Sequence, residues 1–304
     1  MSAADRPFRC SDAADLRGDP AHASAAPARR WLLVEVPGPW GPDAVMESPL
    51  DVDVARALSR LAAESGMRLT LIRRPGRSPE TAVRHWAVAD CDPGQEAISW
   101  GTYGRDEELL SVPLDPHRDP SPEPAYLVCT HGRHDQCCAI RGRPVATAMA
   151  ALRPGQVWEC SHVGGDRFAA NVVVLPHGLY YGRVTLAAGV DVVSSYEAGE
   201  VLPDLLRGRS SLPDAAQAAQ HFARLELGER RLDALEPLSV RPAGAAGVWD
   251  VELASRRGPL LVRVRSVVSD EPLQLTCRAW RPGRSRSYEL VSADWAPHAS
   301  TRRN

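Results

Sequence analysis

The chain has 304 residues, 44% of them hydrophobic and 24% charged, with a formal net charge of −2. That balance fits an ordinary globular protein of one or two domains, and no block of like charge is long enough to act as a nucleic-acid-binding or acidic tail. Every basic residue is Arg and none is Lys, which excludes Lys-based covalent catalysis.

No run of about 18 apolar residues occurs, so no membrane-spanning helix is expected. The N-terminus carries no apolar stretch of signal-peptide length. The expected location is the cytoplasm, where the seven cysteines are more naturally free thiols or ligands than a disulfide framework.

Residues 1–29 are Ala-rich and polar, and are expected to be poorly ordered. Trp31–Val36 reads as a buried strand closed by Pro37-Gly38. Val54, Ala57, Leu58 and Leu61 recur at helical spacing within Val52–Glu64, and Gly66 ends that helix. MRLTLIRRPG is the next strand, HWAVADC a third, and EELLSVPL follows a polar stretch. This β–α–β order marks residues 30–113 as an α/β unit.

Five prolines between Pro113 and Pro124 mark a linker. The order of elements then repeats across 125–208 without sequence repetition. AYLVC is a strand, Ala139–Leu152 a helix and QVWECSHV a strand. FAANVVVLP and LYYGRVTL read as a hairpin around Pro176-His177-Gly178, and Ser195–Arg207 as a closing helix.

The segment 214–295 reads as a small α+β module. Residues 214–231 form an amphipathic helix through Ala215, Ala218, Ala219, Phe222 and Leu225. VWDVELAS, PLLVRVRSV, LQLTCRAW and SYELVSA alternate as strands of a half-exposed antiparallel sheet, with a frayed tail after Trp295.

Residues 126–171 gather four of the seven cysteines (Cys129, Cys137, Cys138, Cys160) and three of the nine histidines (His131, His134, His162). Thiolate and imidazole are the ligands of zinc and iron–sulfur sites. Cys129 and Cys138, with eight residues between them, stand at the two ends of a loop leaving a strand. Cys138 directly precedes the predicted helix, where unpaired N–H groups favour a thiolate. Cys137 and Cys138 are adjacent and should diverge in direction, so both are not expected to bind one centre. Cys160 and His162 share a face of the predicted strand Val157–Val163, and Gly164-Gly165 permits a tight turn. Asp166 reads either as a ligand or as the cap of a short helix. His131 and His134, in a polar loop, are expected to be solvated, and Asn171 to cap or orient something nearby.

The segments CTHGRHDQCCAIRGRP and WECSHVGGDRFAANVVVLPHGLYYGRV, with RRWLLVEVPGPWG upstream, resemble the sucrase/ferredoxin-like family over roughly residues 8–207. The resemblance implies a thioredoxin-like α/β fold whose second half carries a [2Fe–2S] cluster held by C-x8-C and H-x3-H. Cys129, Cys138 and His162 match three of these ligands, while Asp166 stands where the family has its second His. The fourth donor is then Asp166, Cys160 or, more remotely, His177. The function implied is electron transfer or redox sensing with an unidentified redox partner protein, and neither nucleic acid nor membrane is involved. A zinc-binding structural module and a metal-free binding protein are the alternatives. No carboxylate pair suggests glycoside hydrolysis, no C-x-x-C suggests disulfide exchange, and the chain reads as a carrier more than an enzyme.

Overall fold

The computed structural model describes residues 7–76 and 83–295. Nine strands form one mixed sheet: β1 (Arg30–Glu35), β2 (Met67–Arg73), β3 (Arg84–Asp90), β4 (Ala97–Tyr103), β5 (Ala125–Cys129), β6 (Val157–Cys160), β7 (Val172–Leu175), β8 (Leu179–Tyr181) and β9 (Leu206–Arg209). The helices are α1 (Cys10–Arg17), α2 (Val52–Glu64), α3 (Gln136–Leu152), α4 (Leu186–Glu197) and α5 (Asp214–Leu227). The strand order is β4-β3-β1-β2-β6-β5-β7-β8-β9.

Two halves of this sheet follow one plan. In each, two parallel strands are joined through a helix, β1-α2-β2 and β5-α3-β6. The third strand lies antiparallel beside the first, and the fourth antiparallel beside the third. This is a thioredoxin-like arrangement made twice. The halves meet where β2 pairs antiparallel with β6, Ile72 opposite Cys160. Strands such as β5 (AYLVC) are buried along their whole length, as expected for strands covered on both faces.

Local chemistry sets the element ends. Asp51 accepts the N–H groups of Asp53 and Val54 and starts α2, and Gly66, at φ +65°, takes the chain out of it. A second antiparallel sheet holds β10 (Pro237–Pro242), β11 (Val248–Leu253), β12 (Leu260–Val268) and β13 (Arg286–Trp295). The alanine face of α5 covers Val251, Leu253, Val262 and Val264 of that sheet. No described helix is long and apolar enough to cross a membrane.

Several expectations need correction. Residues 7–29 are not loose: α1 is helical, and Ala23, Ala25 and Ala28 are buried. The fourth strand is AISWGTY, whereas EELLSVPL contributes a 3-10 turn at Asp106–Ser111. In place of a helix over Ser195–Arg207, Thr185 caps an earlier one, Gly199 at φ +72° follows its end, and Leu206–Arg209 joins the sheet. The strand QVWECSHV ends early, at Cys160. Helix α5 stops at Leu227, where Gly228 adopts φ +62°. LQLTCRAW is a loop with a single bridge, Leu273 to Gly283, and β10 takes the place expected for it in the sheet. The tail after Trp295 lies outside the described residues.

Helix α3 begins at Gln136, three residues before the predicted start at Ala139, because the Asp135 carboxylate accepts the Cys137 N–H at 2.9 Å. It packs very close to the end of β5. A Cβ on Gly142 would stand 2.1 Å from the Cys129 carbonyl oxygen. Gly142→Ala should therefore push α3 off β5 and cost about 1–3 kcal/mol, as overpacking does. Thermal unfolding checks this, and an unchanged midpoint would show that the helix can shift freely.

Candidate metal centre

Strands β5 and β6 run parallel with Cys129 opposite Cys160, so the loops after them leave the sheet side by side. Cys129 closes β5, Cys138 sits in the first turn of α3, and His162 follows β6. One donor atom from each of these three residues lies within 4.8 Å of the others. Both thiols are buried.

Asp166 adjoins this group through Cys138 and His162. Its carboxylate is buried; Oδ1 accepts from the Cys138 thiol at 3.1 Å and stands 2.9 Å from His162 Nδ1. That nitrogen is buried and, at this angle, makes no hydrogen bond. Asp166 opens a three-residue 3-10 turn but its side chain caps nothing there. Hydrogen bonds from Cys138 and Cys160, and then from His162, hold the Cys129 thiol well below its ordinary pKa. Cys138 is pushed up by its bond to Cys129 and by burial. Burial opposes a charge on His162, but Asp166 and Cys129 outweigh it and hold its pKa at about 9.

The turn that carries Asp166 is clamped from behind. Gly164 and Gly165 adopt φ +98° and +79°, and a Cβ on Gly165 would meet the Arg207 guanidinium at 2.4 Å. Buried Arg207 donates to Gly164 O at 2.9 Å, to Asn171 Oδ1 at 2.7 Å and to Ser24 Oγ at 3.0 Å. Asn171 in turn donates to Gly165 O at 2.9 Å, which gives it the orienting role expected. Arg207 escaped the sequence reading, since it lies far along the chain among many arginines.

The loop histidines are not freely solvated, contrary to expectation. His131 is buried, with Nε2 2.7 Å from Gly41 O, and packs edge-on to Trp40. His134 stacks on His162 with ring centroids 3.7 Å apart, and its Nε2 is 3.7 Å from Asp166 Oδ2. It therefore stands beside the centre with His162 and Asp166. Only its place in a loop of histidines and cysteines signals this in the sequence.

Cys160 lies beside Cys129 but is packed in the apolar core with Trp31, Leu33 and Ile72. The strand ends at Cys160, so no shared strand face links it to His162. Cys137 turns away from the centre, as expected for a neighbour of Cys138. His177 belongs elsewhere: its Nδ1 is 2.7 Å from the Tyr196 hydroxyl. A cleft of about 740 Å³ flanks the centre, walled by Trp40, Arg73, Arg74, His131, Arg133 and Arg143.

Cys129, Cys138 and His162 bring donor atoms within 4.8 Å of one another, and His134, His162 and Asp166 do the same, so His162 joins two donor sets whose chemistry fits a metal-bound group. Fold and site together define a thioredoxin-like protein with a candidate metal centre. The sucrase/ferredoxin-like profile matches residues 21–208, more than half of the chain, and the protein belongs to that family. No curated protein and no solved structure matches the chain. Helix α1, helix α5 and the antiparallel module lie outside the matched residues.

His177 offers a pH test that is independent of the centre. Burial, and then Arg209, lower its pKa from 6.5 to about 4. Between those values the unfolded chain binds the extra proton, so this contribution is full above pH 6.5 and fades as the pH falls towards 4. Denaturant unfolding should show wild type losing more stability from pH 7 to pH 5 than His177→Gln. Equal losses would remove His177 from the account.

Proposed function

We propose that the protein is an iron–sulfur electron carrier or redox sensor that binds a [2Fe–2S] cluster through Cys129, Cys138, His162 and Asp166. The observation that carries this reading is the convergence of two buried thiols and an imidazole within 4.8 Å of one another, with the buried Asp166 carboxylate against Cys138 and His162. Membership of the sucrase/ferredoxin-like family supports it. When bound, such a cluster takes up and releases single electrons.

The chain's own residues supply the rest. Cys129 and Cys138 would supply two thiolates, His162 an imidazole nitrogen and Asp166 a carboxylate oxygen to hold the group. Asp166 is favoured over Cys160 because its carboxylate touches both Cys138 and His162, whereas Cys160 adjoins Cys129 without joining the Cys129–Cys138–His162 donor set. The His162 and His134 side chains are 25% and 38% exposed, which leaves an imidazole edge where a redox partner protein can dock. An imidazole ligand also lets an electron move together with a proton. A single zinc ion is the second reading, favoured by the compactness of the three-donor group, whose atoms all lie within 4.8 Å.

Anaerobic purification followed by visible spectroscopy and iron, zinc and sulfide analysis tests the proposal. The expected result is about two irons and two sulfides per chain with absorption at roughly 400–600 nm. Cys129→Ser should abolish the colour. Asp166→Ala should bleach or shift the spectrum, while Cys160→Ala should leave it unchanged. A colourless protein with zinc lost on Cys129→Ser supports the second reading. A colourless protein that takes up no metal at this site after anaerobic reconstitution overturns both.

A further inference from the structure

Three cysteines outside this centre come together at a second place. Cys10 opens α1, Cys137 lies in the first turn of α3, and Cys277 sits in the loop between β12 and β13. Their sulfurs are 3.7 Å apart for Cys10–Cys137, 3.4 Å for Cys137–Cys277 and 3.6 Å for Cys10–Cys277. Asp135 supplies a fourth donor, with Oδ2 3.5 Å from Cys10 Sγ. All four donor atoms lie within 4.8 Å of one another.

We propose that Cys10, Cys137, Cys277 and Asp135 form a structural zinc site. A tetrahedral zinc with bonds of about 2.3 Å to sulfur separates its thiolates by about 3.8 Å. The three observed separations cluster just below that value. A disulfide needs about 2.0 Å and joins only two sulfurs, so it leaves one of the three thiols without a role. The set of three sulfurs and one carboxylate is closed, with no place kept for a substrate.

The surroundings suit thiolates that hold a cation. Asp135 is fully buried and accepts the N–H groups of Cys277 at 2.6 Å and Cys137 at 2.9 Å. The Cys10 N–H points to Cys277 Sγ at 3.4 Å. Two helices, α1 and α3, begin at this point and direct their positive ends at the sulfurs. Among the described residues no guanidinium is bonded to Asp135 or to these thiols. A divalent cation would balance this set of acidic groups, buried except for the half-buried Cys277, and its binding would release the thiol protons to solvent.

The consequence is mechanical. Cys10 and Cys277 belong to α1 and the C-terminal module, both outside the matched family segment, while Asp135 and Cys137 belong to the helix that presents Cys138. One ion would fasten both ends of the chain to the foot of α3. Such long closed loops are where a cross-link removes most unfolded-state entropy.

The test is elemental analysis of the full chain expressed with both iron and zinc, in wild type, Cys10→Ser, Cys277→Ser and Cys129→Ser. The expected result is about one zinc per chain in wild type, kept in Cys129→Ser and lost in Cys10→Ser and Cys277→Ser. Because a serine variant can fail to fold, wild type is also loaded with cobalt. Thiolate-to-cobalt charge-transfer absorption should appear and persist in Cys129→Ser. Zinc that disappears only in Cys129→Ser would assign it to the first centre and overturn the inference. So would wild type free of zinc after zinc dialysis, or a mass two protons short that reveals a disulfide among the three thiols. A protein without iron whose zinc still depends on Cys10 and Cys277 would sink the electron-transfer reading and leave this one standing.

Discussion

The seat of helix α3 against the end of β5 is the contact on which both thiol groups depend. Gly142 permits it, because the Cys129 carbonyl occupies the space that any side chain there would need. Asp135 then fixes where the helix begins, by taking the Cys137 N–H. Successive residues of a helix point about 100° apart, so Cys137 and Cys138 diverge from a single turn. Cys138 reaches Cys129 and Asp166, and Cys137 reaches Cys10 and Cys277. A shift of α3 by a fraction of a residue would disturb both places together.

The fold takes unusual care over Asp166. A buried carboxylate beside a thiolate is costly unless something positive or hydrogen-bonding compensates. His162, held in its protonated form to about pH 9, supplies part of that compensation. Arg207 does not touch the carboxylate; it fastens the Gly164–Gly165 turn and, through Asn171, the backbone on either side. Position and charge are thus handled by different residues. That division suits a donor that must stay aimed whether or not a cation is present.

The sequence was most readable where one physical rule acted alone. Helix α2 follows from apolar spacing, an Asp cap and a glycine stop, and its range agrees with the expectation. The divergence of Cys137 from Cys138 followed in the same way from their being adjacent. Reading failed where distant contacts decided. Strand β4 hides its pattern in Ser99 and Gly101, and a Cβ on Gly101 would overlap the Trp86 ring. LQLTCRAW alternates like a strand, yet it leaves the sheet and brings Cys277 to Cys10. His134 looks solvated within its loop until folding stacks it on His162. None of these outcomes has a local signature, because each depends on a partner outside its own segment.

The exchange of an imidazole for a carboxylate has a clear electrostatic meaning on the proposed reading. A neutral histidine adds no charge to a metal centre, whereas Asp166 adds one negative charge. Negative ligand charge stabilises the more oxidised state, so this centre would lie at a lower reduction potential than one with two imidazoles. Burial sharpens the effect, because little water reaches the carboxylate to screen it. His134, 3.7 Å from Asp166 Oδ2, acts in the opposite direction when it takes up a proton, since it then draws charge from the same carboxylate.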